Sequence, residues 1–254
     1  MCYEETRVMK PLEDMDVIDD FLFTEIMADK EDGAEVCRMI LSLVLKRDIR
    51  VYDVEPDKQS SKKKLLPKRS RYYGDLIDVQ LLETGMGYDK LPELVTIFIL
   101  SYDPFGRNSL YYEAGSILKT HSDIPYNDGI RRIFLYVDGD LPENAGEDEK
   151  KLKNLLRYIG KSTKANVTDD ITGRLNDIVH RTKAKKGIGI SYMKSWEREA
   201  ELIEEGKRRG LRMGREEELK NTEAERKRTE IERKRADEAE AKLKKYIEKY
   251  GVLI

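Results

Sequence analysis

The chain has 254 residues, of which 39% are charged, and this length allows one large domain with an extension or two small domains. Its formal net charge is −2, which excludes a generic polyanion-binding chain, so a nucleic-acid surface would have to be a local patch. Two cysteines, Cys2 and Cys37, make no disulfide framework, and the polar N-terminus lacks a signal peptide. We therefore expect a cytoplasmic protein.

The charge is concentrated at the C-terminal end. Beyond Trp196 the sequence consists almost entirely of Glu, Lys, Arg, Ala and Gly, whereas the part before it has the composition of an ordinary folded domain. This shift predicts a globular domain at 1–195 and a charged helix at 196–254. The longest apolar run, at 94–100, is too short to cross a bilayer, so no membrane partner is expected.

The apolar spacing predicts the elements in chain order. They are a short helix at 21–27, a helix at 34–46 starting near Asp32 and Gly33, a strand at 49–54 stopped by Pro56, a helix from Pro67 to about Gly85, strands at 94–100, 110–117 and 132–137, helices at 148–159 and 168–183, and helix from 191 onwards except at its glycines. This order predicts an α/β or α+β domain with a mixed sheet. The 94–100 strand is apolar on both faces, which is typical of a central strand.

Two acidic residues stand two apart in the first predicted strand. Side chains with this spacing face the same way, so Asp53 and Glu55 would place two carboxylates side by side at the strand end. Two such groups suit a hard divalent cation such as Mg²⁺. On the alternative interpretation, one carboxylate faces solvent and the other caps the following turn.

A basic segment without acidic residues follows the acidic pair. Its cations are Lys58, Lys62, Lys63, Lys64, Lys68, Arg69 and Arg71, and Tyr72 and Tyr73 come next. Cations beside a metal site suit a phosphodiester substrate, because they hold the backbone while the metal polarises the scissile phosphate. The alternative interpretation is a solvated loop followed by a helix start.

Several runs in this chain resemble the recombination-promoting nuclease (Rpn) and transposase family of the PD-(D/E)XK nuclease superfamily. They occur in order over roughly 200 residues: Asp-Asp-Phe-Leu-Phe at 19–23, Val-Tyr-Asp-Val-Glu-Pro at 51–56, Leu-Pro-Lys-Arg-Ser-Arg-Tyr-Tyr at 66–73, Leu-Ile-Asp at 76–78, Ser-Tyr-Asp-Pro-Phe-Gly at 101–106, Val-Thr-Asp-Asp at 167–170, and the Glu, Gly and Arg-rich segment at 204–214. The resemblance implies a restriction-endonuclease-like mixed sheet flanked by helices.

The resemblance also implies a metal-dependent DNA endonuclease. In that superfamily an Asp is followed by a Glu and then, two residues on, by a Lys or Gln; Glu55 matches the Glu, and Lys58 or Gln59 would replace the Lys because strict spacing gives Asp57. Asp53 would be the second ligand of Mg²⁺. Lys68, Arg69, Arg71 and Tyr72 would contact DNA.

One departure from the family pattern concerns the first metal-binding Asp. The family has two more strands before the one at Val51, whereas the four residues 47–50 span at most about 14 Å, which cannot hold a hairpin. The sequence therefore predicts a sheet that lacks one hairpin and its Asp. Three functions follow as alternatives: a DNA endonuclease, active or degenerate; a non-catalytic DNA-binding protein with the same fold; and a coiled-coil interaction protein.

The predicted C-terminal helix carries a thin apolar seam. Ala239, Leu243, Tyr246 and Tyr250 are spaced 4, 3 and 4 residues apart, as in a heptad repeat. Two interpretations stay open: a marginal coiled coil that makes a homodimer, and a solvated single helix held by Glu–Lys pairs. We also expect Tyr192, Met193 and Trp196 to form an apolar cluster that closes off the domain.

Overall fold

A computed structural model of the chain describes residues 9–45, 51–58, 64–82, 85 and 87–251; for residues 51–53, 55 and 250 it describes the backbone only. The chain divides into two compact units, Met1–Tyr192 and Met193–Ile254. The described helices are α1 (Asp20–Met27), α2 (Lys30–Val44), α3 (Leu66–Leu81), α4 (Glu147–Gly160), α5 (Asp170–Ala184) and α6 (Ile188–Tyr250). The described strands are β1 (Val51–Asp57), β2 (Leu94–Leu100), β3 (Tyr111–Ala114) and β4 (Ile130–Tyr136).

The four described strands form one mixed sheet in the order β1-β2-β4-β3. β1, β2 and β4 run parallel, and β3 pairs antiparallel with β4. The chain crosses from β1 to β2 through α3, because parallel neighbours need a long connection. The predicted mixed sheet with flanking helices and a long C-terminal helix is confirmed at this level of description.

β2 separates two hydrophobic clusters. Its residues alternate between the faces: Val95, Ile97 and Ile99 belong to a large core, whereas Phe98 and Leu100 belong to a smaller one. The large core is completed by apolar side chains of α1, α2, α4 and α5. The smaller cluster contains Leu66 from the start of α3 and Phe134 from β4, so α3 covers this face. Every residue of β2 is buried, which confirms the predicted central strand.

The prediction that Pro56 stops the first strand is wrong. β1 continues through Pro56 to Asp57, with Pro56 opposite Ile99 of β2. Proline donates no backbone hydrogen bond and is therefore tolerated on edge strands. β1 is at an edge of the described sheet, so the missing donor breaks no central ladder.

Two predicted boundaries are corrected by hydrogen bonding. α2 begins at Lys30 rather than near Asp32 and Gly33, because the Asp29 carboxylate accepts hydrogen bonds from the backbone N–H groups of Glu31 and Asp32 and caps the helix there. β3 ends at Ala114 instead of residue 117, and Ile117 is exposed.

α6 is a single helix that continues through its glycines at 206, 210 and 214, which the sequence predicts as interruptions.

The first residues of α6 belong to the first unit, where Tyr192 is buried. The ring of Tyr192 lies 4.9 Å from the ring of Phe21, and its hydroxyl donates a hydrogen bond of 2.7 Å to the carbonyl of Lys10. Met193, the first residue of the second unit, is 47% exposed. Among the described residues, no helix is both long enough and apolar enough to cross a membrane.

Candidate functional site

The three parallel strands end at the same edge of the sheet. In the ladder, Asp57 of β1 lies beside Leu100 of β2, which lies beside Tyr136 of β4. In open sheets of parallel strands, ligands bind outside the carboxyl ends of the strands. The segments 57–58, 101–108 and 137–140 leave the sheet at this edge, which makes it the natural place to look for a site.

A buried carboxylate lies at the end of β1. The side chain of Asp57 is 1% exposed, and its Oδ2 atom accepts a hydrogen bond of 2.7 Å from Nη1 of Arg69 and one of 2.9 Å from the hydroxyl of Tyr102. Asp57, Arg69 and Tyr102 come from β1, α3 and the segment after β2, and we call them the strand-end cluster. A buried charge is tolerated only when it is paired and hydrogen-bonded, and both conditions are met here.

The protonation states in the strand-end cluster follow from its surroundings. Burial, and then the hydrogen bond to Asp57, raise the pKa of the Tyr102 phenol, so this hydroxyl stays protonated and donates. Burial lowers the pKa of Arg69, but contacts with Tyr73 and the charge of Asp57 outweigh it and leave the pKa raised. The Arg69 guanidinium also lies 5.9 Å from the centre of the Tyr73 ring. A permanent cation is therefore fixed at the end of β1.

Lys58, predicted as a substitute for the catalytic Lys, is held by a different partner. Its Nζ lies 2.6 Å from Oδ1 of Asp19, and the other oxygen of Asp19 accepts a hydrogen bond of 2.7 Å from Nζ of Lys10. Burial raises the pKa of Asp19, but the hydrogen bonds from the two lysines outweigh it and leave the pKa below its usual range. Lys58 is thus committed to an ion pair between the end of β1 and the start of α1.

The predicted acidic pair is described only by its backbone. Asp53 and Glu55 lie in β1 beside Thr96 and Phe98 of β2, and their side chains lie outside the described part of the chain. Gln59 lies outside the described residues altogether, as do Lys62 and Lys63. Thr96, next to Asp53 in the ladder, has a buried hydroxyl that finds no hydrogen-bond partner among the described residues. Within the described ranges, no three His, Cys, Asp or Glu residues form a group that could hold a metal ion.

The predicted DNA-contacting residues separate into two sets on α3. Arg69 points to the sheet edge and is bound to Asp57, whereas Lys68, Arg71 and Tyr72 are exposed. Pro67 stands at the start of the helix, as predicted, because its missing N–H costs nothing there. The sequence brought the four residues together as one surface, but the helical period divides them: three face solvent and one supports the strand end.

The Asp-Pro-Phe-Gly run after β2 forms a rigid turn. The Asp103 carboxylate accepts hydrogen bonds from the backbone N–H groups of Phe105, Gly106 and Asn108 and from the Tyr112 hydroxyl. Gly106 has a φ of +74°, a conformation that favours glycine. The run therefore shapes the loop at the sheet edge, and the Asp103 carboxylate stabilises the turn.

A second concave feature lies nearby, at the ends of α2 and β4. This cavity of about 550 Å³ is lined by residues 43–44, 107–111, 140–142, 149 and 152. None of the described residues that the sequence predicts for the site lines it. Asn108, at its rim, has a φ of +51° and donates a hydrogen bond of 2.6 Å to Asp140.

Three participants at the sheet edge were missed by sequence reasoning. The sequence marks Asp57 only as a departure from a motif, and it predicts no function for Tyr102 or Asp19. The pairing of Asp57 with Tyr102 spans 45 positions of sequence, so no local pattern carries it. No protein-family model, no curated protein and no solved structure matches this chain.

Proposed function

We propose that this protein is a metal-dependent DNA endonuclease of the transposase-associated PD-(D/E)XK type, with a restriction-endonuclease-like sheet. The observation that carries the proposal is the contact of 2.7 Å between Arg69 and Asp57. This contact joins the first turn of α3, which carries the cations, to the end of β1, which contains Asp53 and Glu55. This contact supports a site that combines the two acids of β1 with cations from the start of α3.

In this proposal Asp53 and Glu55 hold a Mg²⁺ ion. Their carboxylate oxygens are the ligands that Mg²⁺ prefers, and because they stand two residues apart in β1 they belong to the same face of the strand. Asp57 does not join them, because its carboxylate is engaged by Arg69 and Tyr102. The ion would polarise the scissile phosphate. The chain's own part is to bind and orient the phosphate backbone, through the cations at the start of α3.

Arg69 would also take over a charge that the family places on β1. Lys58 is bound to Asp19, and the position that strict spacing assigns to the family's Lys is Asp57. The Arg69 guanidinium at Asp57 supplies a fixed positive charge at that end of the strand. Such a charge can stabilise negative charge that develops on a phosphate oxygen, but arginine remains protonated and cannot act as a base.

The experiment is nicking of supercoiled plasmid by the full chain with Mg²⁺ or Mn²⁺ and with a chelator. We expect metal-dependent nicking that Glu55→Gln reduces at least a hundredfold, because a lost metal ligand removes transition-state stabilisation. Glu143→Gln is the matched control: Glu143 is exposed and lies outside the strand end. Equal activity of the Glu55→Gln variant and wild type would refute this site.

The second candidate is a non-catalytic DNA-binding protein. The observation in its favour concerns the position of the family's Lys: strict spacing gives an acid, Asp57, and the substitute Lys58 is paired with Asp19. Wild-type protein that binds DNA with a steep salt dependence, yet nicks no plasmid with either metal, would support this candidate over the first.

A further inference from the structure

The outward face of α3 combines an apolar stripe with an unusual order of charges. Tyr72, Leu76 and Val79 follow one another at helical spacing and are 58%, 41% and 76% exposed. One flank of this stripe carries Lys68, Arg71, Asp75 and Asp78. We call these seven residues the α3 outer face. An apolar stripe on an exposed helix marks an interaction surface when the flanking charges also fit a partner.

Most of these charges are placed unfavourably within their own helix. Lys68 lies in the first turn and Asp78 in the last, so each opposes the helix dipole. Lys68 and Arg71 are like charges three residues apart, and so are Asp75 and Asp78; the favourable spacing is that of Arg71 and Asp75, which have opposite charges and stand four residues apart. Burial and the charge of Asp75 raise the pKa of Asp78. Among the described residues, none of the four has an ion-pair partner.

One partner compensates all four charges: a second copy of α3 in antiparallel orientation. An interface between two copies related by a two-fold axis is self-complementary, and the same flank of each helix lies beside that of the other. With the axis at the level of Tyr73, Arg71 stands opposite Asp75 of the second copy, since both are two residues from the axis. Lys68 likewise meets Asp78 of the second copy, each about 7.5 Å from the axis along the helix.

We infer that the protein self-associates through the α3 outer face as an antiparallel, two-fold dimer. Tyr72 of each copy lies near the axis, Leu76 and Val79 of each copy extend along the other helix towards its first turn, and four ion pairs lie on one flank. DNA would match only the basic half of this face, because Asp75 and Asp78 would repel its phosphates. A second copy matches both halves, and its antiparallel dipole suits the first.

The dimer would cover two of the cations that the proposed function assigns to DNA. Lys68 and Arg71 cannot pair with Asp75 and Asp78 of a second copy and with phosphates at the same time. Self-association and DNA binding on this face therefore exclude each other. This consequence rests on the proposed function, whereas the dimer itself does not, so the dimer is tested without DNA.

The test is sedimentation equilibrium of the full chain at low salt, with charge-swapped variants. We expect a wild-type dimer that Arg71→Asp or Asp75→Arg weakens at least tenfold, because each change makes two ion pairs repulsive. The double variant with both changes should restore the affinity to within about threefold, since it recreates the pairs in reverse. Lys68→Asp with Asp78→Lys gives a second, independent swap should a variant of the first pair fail to fold.

Arg38→Asp is the matched control, because Arg38 is exposed on the helix α2 and its reversal changes the net charge equally. This control should dimerise as wild type does. A monomeric wild type at all concentrations would overturn the inference. A dimer that persists in both single variants would also overturn the inference, and a dimer formed by α6 would behave in this way. A double variant that stays monomeric would overturn the inference as well.

Discussion

At the scale of single residues, the strand-end cluster shows how a buried acid is accommodated. Asp57 stands at the end of β1, where an unpaired carboxylate would be costly because the site is buried. The structure neutralises it with Arg69 and with the hydroxyl of Tyr102. Arg69 is therefore the counter-ion of Asp57 at this end of β1.

The first prediction concerns the pairing of Asp57 with Arg69. Asp57→Asn removes the charge at nearly constant volume and leaves the guanidinium without its counter-ion, so we expect a loss of about 3 kcal/mol in the free energy of unfolding. Urea denaturation measures it. Asp123→Asn changes the same group at an exposed position and should stay within about 0.5 kcal/mol of wild type. Equal midpoints for the two variants would show that the buried pair adds nothing to stability.

The second prediction concerns acid and the cap of α2. Hydrogen bonds from Lys185 and from the backbone N–H groups of Asp32 and Glu31 lower the pKa of Asp29 from 3.8 to about 2. Because this folded pKa lies below the unfolded value, the stability that the carboxylate contributes is present above about pH 4 and is lost as the pH falls through about 2. NMR titration of the Asp29 carboxyl measures the pKa.

Asp29→Asn keeps a capping side chain but removes the titrating group. We expect this variant to lose less stability than wild type between pH 5 and pH 3, measured as urea midpoints, whereas Asp123→Asn should follow wild type. An Asp29 carboxyl that titrates near its ordinary value would contradict the prediction, since the hydrogen bond from Lys185 would then be absent in solution.

At the scale of elements, α3 connects the sheet to its surroundings through two faces. Its inner side contributes Leu66 and Tyr73 to the smaller hydrophobic cluster, and Arg69 to the strand end. Its outer face leaves Lys68, Arg71 and Tyr72 in solvent. The inner side of α3 thus supports the candidate site through Arg69, and its outer side exposes Lys68 and Arg71 to solvent. The inner and outer cations therefore need separate tests.

The third prediction separates these sets by their effect on DNA binding. Lys68→Gln with Arg71→Gln should weaken binding to unrelated duplexes alike, and should lower the slope of log affinity against log salt by nearly two, because each phosphate contact contributes about 0.9. Lys119→Gln with Lys164→Gln removes two exposed cations elsewhere and should leave the slope unchanged. Loss confined to one DNA sequence would instead indicate base contacts.

At the scale of the whole molecule, the two units differ in how they are stabilised. The first unit holds the sheet and its two hydrophobic clusters. In the second unit, Leu211, Leu219 and Leu243 of α6 are more than 60% exposed. Because folding stability comes mainly from apolar burial, the first unit should carry most of it.

The fourth prediction follows from this difference. A chain that ends at Glu205 should melt cooperatively within a few degrees of the full chain, because the removed helix buries little apolar surface. Tyr192→Ala in the full chain is the contrasting variant: it removes a buried ring and should cost about 3 kcal/mol. Thermal melts decide, and a large drop on truncation would mean that the helix docks on the first unit.

Strong local patterns determined much of the fold in advance. The uninterrupted apolar run at 94–100 predicted a central strand, and β2 is buried along its whole length with a neighbour on each side. Pro67 predicted the start of α3, and the apolar spacing predicted α4 and α5 to within two residues. These predictions hold because burial and helix geometry impose a period that a single segment displays by itself.

Only the tertiary structure decided the partners at the sheet edge. The sequence placed Arg69 in a DNA surface and Lys58 in a catalytic position, but α3 carries Arg69 onto Asp57, and the start of α1 carries Asp19 onto Lys58. Each pairing depends on where the chain returns after 12 and 39 positions respectively. A local pattern predicts which face of a helix or strand a side chain occupies. The oppositely charged residue that it contacts there depends on how elements distant in sequence pack together. The reason is that a charge at a packed contact is stable only when a residue of opposite charge pairs with it.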